Sequence, residues 1–131
     1  MYVAVYVICS FCSNIVFNGT EYAARIKTDQ GGAGFVRDIT YQNIVTHNVG
    51  TTAYITMYYS GSGSTSMHIY DIYFSNITAY DSAVAGSFIC MSTNPCENII
   101  RTDVNHINPG KGWSCQYANG QATDVTPTSC L

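Results

Sequence analysis

Short alternations of apolar and polar residues recur along this chain, each introduced by an Asn or Asp that is followed by Ile. They occupy residues 14–17, 38–41, 71–74 and 98–101. Alternation with a period of two predicts a β-strand that buries one face. With Ile15, Ile39, Ile72 and Ile99 as markers, the steps run from 15 to 39, from 39 to 72 and from 72 to 99.

A second short strand is predicted after each marker strand, at residues 24–28, 53–58, 87–91 and 113–116. The stretches between them carry Gly, Asn, Ser and Thr, which favour turns. Two strands in a period of about 25 residues predict a solenoid of stacked coils, with the marker Ile inward and the preceding Asn or Asp at a turn. The long step from 39 to 72 would include a Gly/Ser surface loop at residues 60–66. An irregular β-sandwich remains the alternative here.

Composition supports an all-β single domain over residues 1–131. Apolar residues make up 47% of the chain and charged residues 10%, which excludes a disordered chain. Leu occurs once and Lys twice, so strong helix formers are scarce. Residues 1–13 form an atypical apolar amino terminus without a basic region. It is too short to span a bilayer, and a buried strand or a mis-assigned start fits it better than a signal peptide.

The charge of the chain limits the classes of binding partner, and its cysteine content indicates the cellular compartment. The net charge of −3 argues against nucleic acid, and no segment predicts a membrane span. Arg25, Lys27 and Arg37 lie close together in the sequence. Such a cationic cluster would suit a small or polymeric anion, and the alternative is that these are ordinary solvated surface charges. Six cysteines and the sequons at Asn18 and Asn76 predict a secreted, disulfide-bonded, N-glycosylated protein.

Four ordered landmarks carry a family resemblance. They are Gly19-Thr20 followed by Arg25-Ile26-Lys27 and a Gly-rich turn, the strands at residues 37–44 and 55–59, the segment 94–99, and the ending 114–131. Over residues 14–131 the chain resembles the polygalacturonases of glycoside hydrolase family 28. The resemblance implies a right-handed parallel β-helix of about four coils, a secreted or cell-wall enzyme without a cofactor, and pectin as the substrate.

The resemblance also assigns binding residues. Arg25 and Lys27 match the family's substrate-binding pair, and as i and i+2 on one strand they would leave the same face, with Ile26 pointing into the core. A guanidinium and an ammonium on one face suit the carboxylate of galacturonate. Tyr59 matches an aromatic residue of the family's cleft, although among eleven Tyr a plain packing role fits it equally well.

The family's catalytic carboxylates are expected to be missing from this chain. Family members hydrolyse α-1,4-galacturonosyl linkages by inversion, using Asp residues and a Gly-His-Gly motif that precede Arg-Ile-Lys. Here only the short segment 1–24 precedes Arg25, and Glu21 is its one carboxylate. We therefore expect a carboxy-terminal portion that is inactive alone, with no catalytic residue assigned. A non-catalytic solenoid that binds acidic polysaccharide or has a structural role is the alternative.

Other polar residues receive lesser roles. Asp29 is expected to pair with Arg25 or Lys27, which would lower its pKa and disqualify it as a general acid. His47, His68 and His106 are interpreted as surface or strand-edge residues. Arg101 would serve as a control in binding experiments. A complete protein is expected to be monomeric, and an isolated fragment to self-associate through its uncapped end.

The cysteines divide into three pairs by position. In the family a disulfide lies where Cys90 and Cys96 stand, and a Cys115–Cys130 bond would tie the carboxy-terminal tail to the last coil. Cys9 and Cys12 lack the context of a redox motif or a zinc site. One of them would pair with a cysteine outside the chain, or both belong to an unusual first strand.

Overall fold

The computed structural model describes residues 4–7 and 10–131, with side chains from residue 10 onward. Its regular elements in these ranges are ten β-strands: β1 Ala4–Val7, β2 Ser10–Asn18, β3 Tyr22–Lys27, β4 Ala33–His47, β5 Thr51–Thr56, β6 Ser66–Tyr80, β7 Val84–Ile89, β8 Cys96–Ile107, β9 Lys111–Gln116 and β10 Ala118–Thr126. Within the described ranges, no helix has the length and apolarity that a bilayer crossing requires.

The strands form two parallel sheets. Sheet A has β1 and β2 end to end along β4, followed by β6, β8 and β10, and sheet B runs β3, β5, β7, β9. From β2 to β10 successive strands alternate between the two sheets, so the chain is a parallel β-helix of about four coils, as predicted. All eight predicted strands fall within or overlap strands of the structure, and β1 confirms the strand interpretation for residues 4–7.

The register between coils confirms two predicted steps and corrects the third. Ile39 pairs with Ile72 and Ile72 with Ile99, as the marker pattern predicts. Ile15, however, pairs with Ile44 rather than Ile39, so the first step runs from 15 to 44. The prediction failed because β4 carries the Asx-Ile pattern twice, and Asn43-Ile44 repeats it shortly after Asp38-Ile39.

The Asn and Asp of this pattern lie at bends inside the long strands. Asp38, Asp71 and Asn98 have φ values of 57°, 57° and 53°, a left-handed conformation that Asn and Asp tolerate best among residues with side chains. Their side chains stack along the helix axis. Asn98 donates a hydrogen bond to Asp71 at 2.6 Å, and Asn76 donates one to Asn43 at 2.8 Å. These ladders turn the strands around a common core.

The core is an aliphatic ladder beside an aromatic one. Ile39, Ile72 and Ile99 are at most 5% exposed, and burying each such side chain contributes on the order of 1.5–3 kcal/mol. Two residues further along, Tyr41 stacks on Phe74 with ring centroids 5.3 Å apart. The inward direction predicted for the marker isoleucines is therefore confirmed for the three that share one register.

The inserted loop lies where the sequence predicts it, between β5 and β6, and residues 60–64 are exposed. It folds back on the preceding coil, because Gln30 N donates to Ser60 O at 2.7 Å. Gly61 makes this possible. Its φ is +85°, and a Cβ there would lie 2.6 Å from the carbonyl oxygen of Gln30. The loop thus borders the turn that follows β3.

Both predicted disulfides are present. Cys90–Cys96 closes the turn after β7, and Cys115–Cys130 joins β9 to the tail, each with Cα atoms 5.8 Å apart. Cys12 lies in β2 as a free thiol, and Cys9 is outside the described residues.

Two polar residues near the carboxy-terminal end are buried, which corrects the interpretation of His106 as a surface residue. Arg101 is 0% exposed and His106 only 7%, so neither is a surface residue. Both belong to β8 at positions that alternation directs inward, beside Trp113 of β9. The other two histidines agree better with the prediction: His68 is exposed in β6, and His47 ends β4 with its ring stacked on Tyr80.

Candidate functional site

Strand β3 presents two cations on its outer face. Ile26 is 7% exposed and belongs to the core, while the flanking Arg25 is half-buried and Lys27 is exposed. This is the alternation that a strand of a β-helix requires. In the neighbouring coil, Tyr54 of β5 lies beside Arg25 and Thr56 beside Lys27. The two cations therefore lie side by side on the outside of sheet B.

Tyr59 comes from the next coil and closes over the pair. Its backbone N donates to Thr28 O at 3.1 Å, which anchors the segment after β5 to the end of β3. The Lys27 ammonium lies 3.9 Å from the centre of the Tyr59 ring, and the Arg25 guanidinium 5.6 Å. Tyr59 remains 52% exposed. The structure thus brings the three sequence-predicted residues together.

Two further tyrosines border Arg25 that the sequence did not single out. The Arg25 guanidinium lies 4.1 Å from the centre of the Tyr22 ring and 5.8 Å from that of Tyr54. The two rings are in contact with each other, with centroids 4.9 Å apart. The sequence contained no signal for Tyr54, because its place beside Arg25 depends on a coil-to-coil register that variable turns conceal.

The cationic pair has no carboxylate partner within the described part of the chain. There the sole ion pair joins Arg37 to Asp38 at 2.8 Å. The expected pairing of Asp29 with Arg25 or Lys27 is wrong, since Asp29 instead accepts a hydrogen bond from Ser60 Oγ at 2.7 Å. The inserted loop supplies that serine. Both positive charges are left available to an external anion.

Tyr41 packs against the core and contacts the backbone of the site. Its hydroxyl donates a hydrogen bond to the backbone carbonyl oxygen of Arg25 at 3.4 Å. Burial, with a smaller contribution from the neighbouring Cys12, raises the pKa of Tyr41 to about 12. The phenol therefore stays protonated and remains a donor throughout the physiological pH range.

A cavity of about 450 Å³ opens beside these residues. Its polar wall includes Arg25, Lys27, Tyr41 and Tyr59, and its single carboxylate is Asp29. The rest of the wall is mostly apolar and consists of Thr28, Gly32 and the largely buried side chains of Ile26, Val36, Ile39 and Met67. No cluster of three or more metal-ligating side chains occurs among the residues the structure describes. Arg25 and Lys27 supply positive charge at this cavity, and its described lining lacks the pair of carboxylates that acid–base chemistry of a glycosidase requires.

Comparison with known proteins identifies the family. The model of glycosyl hydrolases family 28 matches residues 6–130. The chain belongs to that family. Among curated members, it is 32% identical to a protein of Arabidopsis thaliana described as a probable polygalacturonase, over 90% of this chain and 28% of that protein. It is 34% identical to a polygalacturonase of Persea americana, over 76% of this chain and 23% of that protein.

A fungal relative gives the same result. An exopolygalacturonase of Rhizopus delemar is 32% identical over 60% of this chain and 24% of its own length. The chain thus spans about a quarter of the length of these family 28 relatives. No solved structure matches it. The family assignment leaves the roles of individual residues to the geometry described above.

Proposed function

We propose that this family 28 chain forms part of the polygalacturonate-binding cleft of a polygalacturonase-type glycosidase. The observation that carries the proposal is the pair of cations on β3, Arg25 and Lys27, which face outward without a carboxylate partner among the described residues. Arg25 would grip a galacturonate carboxylate through two N–H groups, and Lys27 would add a point charge. The exposed face of Tyr59 would contact the sugar ring.

The proposed reaction is hydrolysis of α-1,4-galacturonosyl linkages by inversion, with catalytic carboxylates that come from outside this chain. An inverting glycosidase needs two carboxyl groups on opposite sides of the scissile bond. The cavity beside Arg25 is lined by one, Asp29, and that one is held by Ser60. We expect the 131-residue chain to bind polygalacturonate without hydrolysing it.

Binding of pentagalacturonate to the full chain, measured by calorimetry at low ionic strength, tests the proposal. We expect Arg25→Ala to weaken binding about ten- to hundredfold, as loss of a charge-assisted bidentate contact should. Lys27→Ala should have a smaller effect in the same direction. Lys111→Ala is the matched control, since Lys111 is an exposed lysine of the same sheet, on β9. Equal losses in Lys27→Ala and Lys111→Ala would refute the assigned site.

Arg37→Ala is the appropriate arginine control. Arg37 is partly exposed, on sheet A, and already paired with Asp38. Arg101, the control that the sequence suggested, is unsuitable because it is fully buried and its removal would perturb folding.

A non-catalytic solenoid that binds acidic polysaccharide is the second candidate. It is favoured by the same observation, a cationic face without a carboxylate pair. Release of reducing sugar separates the two, if measured on this chain and on a longer protein containing it. Hydrolysis by the longer protein alone supports the glycosidase, hydrolysis by neither supports the binding module, and hydrolysis by this chain alone would contradict both.

We further propose that the protein is secreted and glycosylated, and that Asn18 is the better of its two acceptors. Two disulfides fit an oxidising compartment. Asn18 is exposed at the end of β2, next to Gly19 in a left-handed turn conformation. Asn76 lies inside β6, and its amide nitrogen already donates to Asn43. Mass spectrometry of the secreted protein should find more glycan on Asn18, and higher occupancy of Asn76 would refute this ranking.

A further inference from the structure

Aromatic faces hold the guanidinium of Arg25 in place. Its centre lies 4.1 Å from the Tyr22 ring, and the Tyr54 and Tyr59 rings are within 5.8 Å. The Nε of Arg25 is buried and has no hydrogen-bond acceptor among the residues the structure describes. Contact with ring faces, rather than hydrogen bonds or ion pairs, therefore determines where this side chain lies.

This mode of support has a consequence for ligand binding. A carboxylate that oriented Arg25 would also neutralise it and compete with the ligand. A ring face attracts the cation through its quadrupole, and it leaves the charge and the outer N–H groups free. An arginine restrained in this way also loses less side-chain entropy when it binds.

The tyrosines themselves are restrained. Tyr22 and Tyr54 lie in adjacent strands of sheet B, and their rings touch with an interplanar angle of 39°. Tyr54 is also the residue directly beside Arg25 in the parallel register. The two rings therefore form a surface contributed by two coils, and the Arg25 guanidinium lies against it.

Resting on the proposed function, we propose that Tyr22 and Tyr54 are positioning residues that orient the Arg25 guanidinium for a galacturonate carboxylate. They act through Arg25 and not through the sugar. Replacing either ring with an aliphatic side chain releases the guanidinium, which then samples several rotamers and must be ordered by the ligand at binding. Replacing Tyr22 with Phe preserves the ring and its effect.

A double-mutant cycle on pentagalacturonate binding separates positioning from direct contact. We expect Tyr22→Leu and Tyr54→Leu each to weaken binding about two- to fivefold, the range of an exposed cation–π contact. Tyr22→Phe should bind like the parent protein. In an Arg25→Ala background, Tyr22→Leu should cause no further loss, because its effect passes through Arg25. Additive losses in the cycle would overturn the inference and indicate that the ring contacts the sugar.

Two controls keep the outcome interpretable. Tyr80→Leu removes another partly exposed tyrosine, stacked on His47 at the end of β4, and should not change binding. The fully methyl-esterified oligomer lacks the carboxylates, so its weak binding should not respond to Tyr22→Leu. Circular dichroism and thermal melting of each variant exclude unfolding as the cause of a loss.

A ligand-free measurement tests the orientation itself. The Nε–H proton of Arg25, assigned by its absence in Arg25→Ala, should resonate upfield through the ring current of Tyr22. That shift should disappear in Tyr22→Leu and persist in Tyr22→Phe. If the upfield shift is present in the parent protein but Tyr22→Leu binds pentagalacturonate as tightly as the parent does, the positioning role is overturned and the proposed function still stands. Failure of the parent protein to bind pentagalacturonate would overturn the proposed function and the role that depends on it.

Discussion

Arg25 and Arg101 both lie against aromatic rings, and their surroundings differ in almost every other respect. Arg25 is half-buried on the outer face of sheet B, with Tyr22 4.1 Å away. Arg101 is 0% exposed inside the last complete coil, with the Trp113 ring 4.5 Å away and the Phe88 ring 5.3 Å away. The contact chemistry is the same, but only the first cation is accessible to a ligand.

The environment of Arg101 indicates a structural role. Arg101 pairs in register with Phe74, so it continues the column in which Tyr41 stacks on Phe74. Its Nη2 donates a hydrogen bond to Ser129 of the tail, while its Nε and Nη1 have no hydrogen-bond partner in the described part of the chain. Burial lowers the pKa of Arg101 to about 10, which still leaves it charged at neutral pH. Contact with a ring face can thus hold an arginine at the surface, as at Arg25, or stabilise its charge inside a core, as at Arg101.

Loss of Arg101 should give the largest effect in this comparison. We expect Arg101→Ala to reduce the free energy of unfolding by about 3 kcal/mol, because it leaves a cavity between Trp113 and Phe88. Arg101→Met fills the space without a charge and should cost less than about 1 kcal/mol or even stabilise the protein. Urea denaturation measures both. If Arg101→Ala reduced the free energy of unfolding by less than Arg25→Ala does, the structural role assigned to Arg101 would be contradicted.

The tail that covers Arg101 should matter nearly as much. Cys115–Cys130 joins β9 to this tail across a separation of 15 residues, and its loss should cost about 3 kcal/mol in the chain-entropy model. The Cys115→Ser/Cys130→Ser double variant should therefore melt well below the parent protein. Cys90–Cys96, with a separation of 6, closes a smaller loop, so its double serine variant should lose less, about 2 kcal/mol. The reverse order in calorimetry would show that the tail does not depend on its disulfide.

Protonation of His106 should destabilise the same end of the helix by a moderate amount. Burial lowers the pKa of His106, with part of the shift offset by backbone carbonyls that include that of Thr126. The unfolded chain then binds a proton more readily than the folded one. Stability is therefore fully present above a pH of about 6.5 and falls as pH decreases below it, by at most about 1.4 kcal/mol per pH unit.

Urea denaturation at several pH values checks this dependence. His106→Gln removes the titrating group and should flatten the profile between pH values of about 5 and 7. His68→Gln, at an exposed position of β6, should leave the profile unchanged. A parent profile that is flat across this range would contradict the buried, neutral state of His106.

Arg37 should give the smallest effect. Its ion pair with Asp38 is partly exposed, with side-chain exposures of 37% and 35%. Pairs of this kind contribute between zero and about 1 kcal/mol. We expect Arg37→Ala to change the unfolding free energy by about 0.5 kcal/mol or less and to leave polygalacturonate binding intact. A loss of binding would extend the cleft onto sheet A.

The repeat made the fold predictable from sequence, and its register in two of three steps. Short alternating strands, each introduced by Asn or Asp, identify a solenoid because these features depend on a few neighbouring residues. The pairing of Ile15 with Ile44 was missed because β4 offers two equivalent Asx-Ile signals, one ending at Ile39 and the other at Ile44. Only contacts between coils, which are remote in sequence, choose between them.

The candidate site likewise has features that the local sequence predicts and features that depend on tertiary structure. Arg25 and Lys27 share a face because they are two positions apart on one strand, which is a local property that the sequence determined by itself. The contacts of Arg25 with Tyr54 and the diversion of Asp29 to Ser60 depend on how one coil is placed on the next and on where the inserted loop folds back. Tertiary structure alone decided these.

The burial of Arg101 shows the limit most clearly. The alternation that places Ile99 inward also places Arg101 inward, where it is 0% exposed although charged side chains are rarely buried completely. The sequence determined the direction of the side chain through the strand period. Whether that direction led to solvent or to a core was decided by Trp113, Phe88 and the disulfide-tied tail, whose aromatic faces and Ser129 hydroxyl make a buried guanidinium tolerable.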